Sequence, residues 1–447
     1  MKKDTIQNLS FKQLELILWR NLQHTYSQVL AQLLEELDKQ IAENRDRDRF
    51  RLHDTRTCTI TSLFGDIEIK RNYYHDRKTG KYVCLLDRIL EFKGAKGISP
   101  LLEETAMEFA ITGTSYRKAA DVLEDIVGYR VISHETIRKL LLEATAISKE
   151  PEPVHGQVLF VEVDGLYVKR QRQKQRGKEE KIAAVHQGWE VNGKRVKLKN
   201  KRHFVHNGKE PFWDAFEKFL TDTYDYDPAV HKLVINGDGA AWITACREYF
   251  GDRAFYTLDR YHVAREIQRL FKRHPRYRAL RKALAKNAPE KLLMELNSAV
   301  GTLEDESKEA QLENLIKQLE KYPEALRDYR DWLKEQGIDV KGFRSMGSAE
   351  ATMSVFAKRL KNGRSWVDKG VSAMMTGLVA HMDKLTLKTL FGRVEKWIEP
   401  SEEKKVPKRY VKKVSRMVKE ATRGNIPYLK RTIHLPVCSA LKALKGF

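Results

Sequence analysis

Cysteine is scarce in this chain. The four in 447 residues, Cys58, Cys84, Cys246 and Cys438, stand far apart and form no C-x-x-C pair. That pattern excludes a zinc ribbon or a disulfide framework and fits a reducing cytoplasm. Long apolar runs are missing too. No stretch of about 18 apolar residues occurs, so no membrane span is expected. The opening MKKDTIQNLSFKQLELILW has neither the apolar core nor the cleavage site of a secretory signal, and its spacing suits an amphipathic helix. Several catalytic signatures are also absent: GxxxxGK[ST], a spaced GxGxxG, HExxH and GxSxG. Nothing local marks a nucleophilic Cys or Ser. Any chemistry is therefore expected to rest on carboxylates.

Acids are outnumbered. There are 83 Lys and Arg against 61 Asp and Glu, a formal balance of +22. With 41% hydrophobic and 32% charged residues the composition is that of a globular chain. The surplus is clustered. Lys404–Phe447 holds thirteen Lys or Arg and one acid, Glu420. Two further basic runs are KRQRQKQRGK (169–178) and GKRVKLKNKR (193–202). Such clustering implies a polyanion, because each neutralised phosphate releases condensed counterions. Nucleic acid is the expected partner, with a merely basic soluble surface or a membrane-facing patch as the plainer readings.

Periodicity predicts a helix over residues 5–45, with Leu14, Ile17 and Leu18, then Leu30, Leu33, Leu34 and Leu37, on its apolar side. Short alternating runs from Thr57 to Leu86, TCTITSLFGDIEIKRNYY and KYVCLL around an HDRKTG turn, predict a small hairpin unit. Three helices follow between Ile98 and Ala146. SYRKAADVLEDIV would turn Ala119, Ala120, Leu123 and Ile126 inward, Gly128 breaks it, and Ser133 is placed to cap HETIRKLLLEA. This is the outline of a helix-turn-helix with Arg138 and Lys139 on its second helix, or else of a plain helical bundle.

Pro151 and Pro153 mark a linker. Beyond it QVLFVEVDGLYV, KIAAVHQGWEV and RVKLKNKRHFV predict three strands joined by hairpins, and HKLVINGDG and RAFYTLD two more that alternate with helices. A mixed sheet flanked by helices is expected, followed by an almost wholly helical, highly charged stretch from His262 to about Gly342.

Three acids stand out by context. Asp164 ends an apolar run, where a charge is costly unless paired or metal-bound. It could equally be a surface acid at a strand end, and Glu162, two residues earlier on the same face, competes with it. Asp238 lies between Gly237 and Gly239 after LVIN. It could cap the following helix, or the bare backbone on either side could admit a ligand. Glu350 opens the helix SAEATMSVFAKRL three residues before Met353 on the apolar face, or simply complements the helix dipole. Together, two strand carboxylates and one on a later helix can converge on a pair of hard dications such as Mg²⁺, with Mn²⁺ as substitute. Two such ions suffice for phosphodiester displacement without a protein nucleophile. Lys358, Arg359, Lys361 and Arg364 would suit phosphate contacts beside Glu350. Asp259 and His262, in LDRYH, form either a further ligand pair or an ordinary cap and surface histidine.

VEVDGLYV, HQGW, LKNKR, INGDGAAWI, LDRYH and SAEATMSVFAKRLKNGRSW, with TIQNLSF and SYRKAA…ISHETIR upstream, resemble a bacterial insertion-sequence transposase family of Lre type, long catalogued as an uncharacterised family. The resemblance covers nearly the whole chain. That family is similar to Mutator-like DDE transposases, whose catalytic domain is RNase H-like with a helical insertion before the Glu. The resemblance implies the three catalytic and metal-binding roles for Asp164, Asp238 and Glu350, and matches Asp259 and His262 to the Asp-x-x-His pair of Mutator-like enzymes. Glu266 is a rival for the third acid.

The expected fold is α/β: a helix and hairpin region over 1–95, a helix-turn-helix over 96–150, an RNase H-like core over 151–270 and 345–399 interrupted by a helical insertion over 271–344, and a basic tail over 400–447. The expected activity is cleavage of element ends and joining of the 3′-OH to target DNA. A non-catalytic, domesticated DNA-binding protein and a nuclease without strand transfer are the alternatives. Double-stranded DNA would lie against Arg138, Lys139, Lys194, Arg195, Lys197, Lys199, Lys201, the late basic cluster and, in the tail, Lys412 and Lys413. A homodimer or higher oligomer, cytoplasmic and nucleoid-associated, is expected from the need to pair two ends.

Overall fold

The computed structural model describes residues 10–389, apart from 91–96, 147–149, 175, 207, 304 and 386. The basic tail with Lys412 and Lys413 lies outside the described residues. The chain divides into two units, Met1–Ala144 with Lys388–Phe447, and Thr145–Leu387.

In the first unit, helix α1 (Phe11–Asn44) begins on a capping box in which Ser10 and Gln13 satisfy each other's end groups. Only the second of its two expected apolar groups is covered. Leu34 is buried among Ile60, Ile67 and Ile69 of the hairpin, with Leu30 and Leu37 alongside, whereas Leu14, Ile17 and Leu18 are exposed. The hairpin is longer than the sequence suggested. Strand β1 (Phe50–Ser62) begins seven residues before Thr57 and turns into β2 (Gly65–Asp76), so the first alternating run is itself two antiparallel strands. A short β3 (Lys81–Val83) completes the sheet, and Leu85 and Leu86, expected in the strand run, instead begin a short helix, α2 (Leu85–Ile89).

Helices α3 (Pro100–Thr112), α4 (Tyr116–Val127) and α5 (His134–Glu143) pack on one another. Ser115 and Ser133 cap the second and third by accepting the N–H groups of Lys118 and Thr136. The inward face of α4 is Ala119, Ala120, Leu123 and Val127; Ile126, expected inside, is exposed. One residue's rotation of about 100° accounts for the difference.

The second unit is built on a five-stranded mixed sheet. Its strands in chain order are β4 (Val158–Lys169), β5 (Gly177–His186), β8 (Arg202–Val205), β9 (Lys232–Gly237) and β10 (Ala254–Leu258). Their spatial order is β10-β9-β4-β5-β8, with β4, β9 and β10 parallel and β5 and β8 antiparallel to their neighbours. Two expected strands are broken. KIAAVHQGWEV divides at Gln187 and Gly188, and RVKLKNKRHFV divides around Asn200, which takes a left-handed backbone (φ 47°). The segments between form a separate two-stranded ribbon, β6 (Trp189–Asn192) and β7 (Arg195–Leu198).

Alternation along the strands sorts the two faces. Leu159, Val161 and Val163 of β4 and Leu233 and Ile235 of β9 enter the large core with α6 (Phe212–Tyr224), the short helices α7 (Ala241–Thr244) and α8 (Cys246–Phe250), α9 (Arg260–Phe271) and the helices beyond. Each such side chain contributes about 1.5–3 kcal/mol of burial. Val158, Phe160 and Val234 face the other way, toward Tyr329 and Leu333 of α13 (Tyr329–Glu335). The stretch after His262 is helical as expected: α10 (Tyr277–Ala285), α11 (Pro289–Asn297) and α12 (Glu306–Lys321) precede α13. Two later helices, α14 (Ala349–Leu360) and α15 (Asp368–Asp383), close the unit. No helix among the described residues is long and apolar enough to cross a membrane.

Candidate active site

The parallel half of the sheet brings three acids side by side. Asn236 of β9 is in register with Glu162 of β4, so Asp238 and Asp164 follow two residues on from that pair. Gly237 is in register with Leu258 of β10, so Asp238 and Asp259 follow one residue on. Asp238 and Asp259 therefore stand just beyond the carboxyl ends of β9 and β10, where open α/β sheets place their ligands, and Asp164 lies beside them within β4, just past the end of its parallel pairing with β9. Val163 and Leu258 point into the large core, so Asp164 and Asp259 project from the opposite face.

Their hydrogen bonds differ. Asp164 accepts the N–H of Gly165 at 2.7 Å, and Asp238 accepts that of Ala240 at 3.0 Å. The second oxygen of each accepts no hydrogen bond among the described residues. Asp238 is not the cap of the following helix; Ala240 holds that position without a side-chain bond. Asp259 is a true N-cap, accepting the N–H of Tyr261 at 2.9 Å, and its other oxygen meets Nδ1 of His262 at 2.9 Å. Charge ties the four groups together. Burial pushes the Asp164 carboxyl up to about 6, with the charges of Asp238 and Asp259 adding to the rise and His262 opposing it. His262 is pushed up from the ordinary histidine value, first by its bond to Asp259.

Glu350 does not sit as expected. The buried residues of α14 are Ala349, Thr352, Met353, Phe356, Arg359 and Leu360, and Glu350 is exposed. Spacing of three to Met353 suggested one face, but the stripe centres on 349, 353, 356 and 360, which leaves 350 at its margin. Glu350 still belongs to the neighbourhood, because Glu162 holds the start of α14. The buried Glu162 carboxylate accepts the N–H groups of Gly347, at 3.3 Å, and Ala349. Glu162 and Asp164 share a face of β4, so α14 begins on the acids' side of the sheet. Glu266 is paired with Arg269 on α9 at 2.5 Å. Among the described residues no three His, Cys, Asp or Glu side chains are placed to hold one ion together.

The glycines also depart from expectation. A side chain at Gly237 would meet Ile243 at 2.5 Å, and one at Gly239 would meet Nε2 of Gln318 at 2.5 Å. They let α7 and α12 approach the strand end rather than leaving it open.

The basic residues divide into two groups. Lys194, Arg195, Lys197 and Lys199 on the β6–β7 ribbon are exposed, as are Lys139, Lys358 and Lys361. The others are engaged by neighbouring groups of the chain. Lys201 donates to the Thr352 hydroxyl at 2.8 Å. Arg359 is buried over the Trp366 ring, and Arg364 donates to the carbonyls of Lys358, Arg359 and Lys361, closing the end of α14. Arg138 is paired with Glu135 at 2.6 Å.

Sequence reasoning missed a buried polar layer behind the acids. Nε2 of His186 lies 4.0 Å from Glu162, and burial pushes that histidine down to about 4, so the contact is not an ion pair at neutral pH. Beside it His203 meets Asp383 at 2.6 Å through Nδ1, and its backbone N–H donates to the other Asp383 oxygen at 3.0 Å. HQGW and LKNKRH carried these residues, but no spacing rule links them to Asp383 on α15.

The uncharacterised protein family UPF0236 matches residues 5–397. A UPF0236 protein of Caldanaerobacter subterraneus subsp. tengcongensis is 26% identical over 438 residues, 94% of this chain and 89% of the relative. Another from that organism, whose printed name joins eleven locus labels, is 27% identical over 442 residues, 94% and 88% of the two chains. A UPF0236 protein of Streptococcus gallolyticus is 28% identical over 380 residues, 81% of each.

Proposed function

The chain belongs to the UPF0236 family, and on that footing we propose that it is a DDE transposase of a bacterial insertion sequence, acting on double-stranded DNA through an RNase H-like core. The observation that carries the reading is the row of Asp164, Asp238 and Asp259 on three adjacent parallel strands, level with the carboxyl ends of β9 and β10. The mixed sheet with helices on both faces supports it, as does the exposed basic ribbon beside that sheet. A relative whose name joins eleven loci of one genome adds support, since repeated copies are what a mobile element leaves.

The donor set suits a hard dication. Carboxylate oxygens are its preferred ligands, and Asp164 and Asp238 each offer one without a hydrogen bond among the described residues. The upward push on Asp164 from burial and its acidic neighbours is the repulsion a cation would relieve. Asp164 and Asp238 would hold Mg²⁺ or Mn²⁺, and Glu350, exposed on the first turn of α14, would join them only by moving toward the strand acids. When bound, such ions activate an attacking oxygen and stabilise the leaving one in phosphodiester displacement. The protein's own part is positional and electrostatic. Glu162 fixes where α14 starts, Asp259 orients His262 and favours its charged form, and the ribbon lysines hold the phosphate backbone. Two copies would be needed to pair two element ends.

The test uses plasmid DNA carrying the flanks of the gene, with Mg²⁺ or Mn²⁺. Asp238→Asn should abolish strand cleavage while leaving DNA retention intact; undiminished cleavage overturns the acid-row reading. A labelled 3′-OH end that joins target DNA distinguishes a transposase from a nuclease. A wild-type chain that retains DNA without nicking it would instead be a non-catalytic binding protein.

A further inference from the structure

On the same face of the sheet, one step inward from Asp238 and Asp259, lies a cavity of about 30 Å³, roughly twice what a single water needs. Its walls include Asn236 of β9, Thr257 of β10, Arg260 of α9, Asn287, and Asp328 and Arg330 at the start of α13. One group there has an unmet demand, and the wall carries more positive than negative charge. The Asn236 side chain is 4% exposed, and its Nδ2 has no hydrogen-bond partner. A buried donor left unpaired costs about 1–3 kcal/mol, so it calls for an acceptor. The half-buried Arg260 guanidinium is held below its ordinary value first by burial; it donates to the Leu284 carbonyl, and the charge of Asp328 favours its cation while that of Arg330 opposes it.

The acid in the wall does not meet these demands. Asp328 already accepts Nδ2 of Asn287 at 3.0 Å, and both its oxygens accept from Arg330. The Asn236 donor is left over, and so is positive charge, since Asp328 stands against Arg260 and Arg330 together. Water could serve Asn236 but would not balance the one acid, Asp328, against the arginines of the wall.

We propose that this cavity is an oxyanion site, taking a phosphate group between the Asn236 amide and the Arg260 and Arg330 guanidinium groups. Tetrahedral oxygens can accept from several converging N–H donors at once, and the charge would offset the positive charge that Asp328 leaves over. The phosphate could be free or part of a nucleic-acid backbone. The site stands on its own lining and not on the acid row.

Thermal unfolding of the full chain, titrated with inorganic phosphate at ionic strength held constant with chloride, tests the proposal. The wild-type midpoint should rise by about 3 °C or more once phosphate exceeds its Kd tenfold. Arg260→Met and the near-isosteric Asn236→Asp should lose that rise, while Lys272→Met, which removes an exposed charge, should keep it. Should Arg260→Met fail to fold, Asn236→Asp carries the test alone. No rise in the wild type, or an equal rise in wild type, Arg260→Met and Asn236→Asp, overturns the site. Saturating single-stranded oligonucleotide separates the sources. If it abolishes the phosphate response the ligand is a backbone phosphate; if the response persists the ligand is a free anion. Asp238→Asn should retain the phosphate response even where it cannot cleave, so a failed active-site reading and a failed anion site are distinguishable.

Discussion

The carboxylate of Glu162, buried in the middle of β4, accepts the backbone N–H of Ala349, the first residue of α14. Residues nearly two hundred positions apart are thereby fixed to one another, and the helix that carries Glu350 starts where Glu162 dictates. Glu162→Ala would leave two backbone N–H groups, those of Gly347 and Ala349, without their acceptor. The expected cost is about 2 kcal/mol or more, a fall in the unfolding midpoint of about 5 °C. Glu162→Gln retains one acceptor oxygen and should cost less. Both should lower cleavage more than DNA retention, because they misplace α14 and spare the basic ribbon. A Glu162→Gln chain with normal stability and normal cleavage would show that the helix start is held by other contacts.

Much of this was legible in the sequence, for identifiable reasons. The apolar runs leading to Asp164, Asp238 and Asp259 announce strands, and the cost of burying a charge singles out Asp164. Asp259 was undervalued, since D-x-x-H reads equally well as a helix cap. It is one, and it also stands third in the row, which only strand order reveals. Glu350 was misplaced by a fraction of a turn, because one helical residue near the edge of a stripe has no pattern to fix its side. Lys201 was grouped with its exposed neighbours, although its ammonium is turned to Thr352. Charge runs say how many cations there are, and burial is decided residue by residue.

His186 supplies a pH prediction. Its ring is buried between Phe160 and Trp189, and burial holds it down to about 4, below the ordinary value of 6.5. The unfolded chain therefore binds a proton that the folded chain refuses between roughly pH 6.5 and 4. This group's contribution is complete above pH 6.5 and is lost as pH falls through that window, by about 3 kcal/mol in all. His186→Phe keeps the ring stack and removes the titration. Denaturant unfolding of both proteins from pH 7.5 to 4.5 should show the wild type losing stability faster. Parallel curves would mean that His186 is protonated in the folded state.

The exposed and the anchored cations should separate in a salt titration. Replacing Lys194, Arg195, Lys197 and Lys199 by Ala removes charges that the fold does not use. Duplex DNA affinity should fall and its dependence on log salt should flatten by up to about 3–4, with the melting midpoint nearly unchanged. Lys201→Ala and Arg364→Ala should do the reverse, lowering stability through Thr352 and the end of α14 while leaving the salt slope intact. A salt slope unaltered by the four ribbon substitutions would move the DNA path elsewhere on the chain.

Gly239 offers the sharpest division between packing and chemistry beside Asp238. Its φ of +94° lies where side-chain-bearing residues are strained, and an added Cβ would meet Nε2 of Gln318 at 2.5 Å. That same amide donates to the Asp238 carbonyl at 3.2 Å, so the clash falls on a contact that holds the loop. Gly239→Ala should therefore cost about 1–3 kcal/mol in unfolding free energy. Gln318→Ala on its own removes the bond and the obstacle together. In the double variant Gly239→Ala/Gln318→Ala the close contact is gone but the backbone strain remains. The double variant should thus be less destabilised than the sum of the two single changes. Strict additivity would place the whole cost in the backbone conformation and none in the approach of α12.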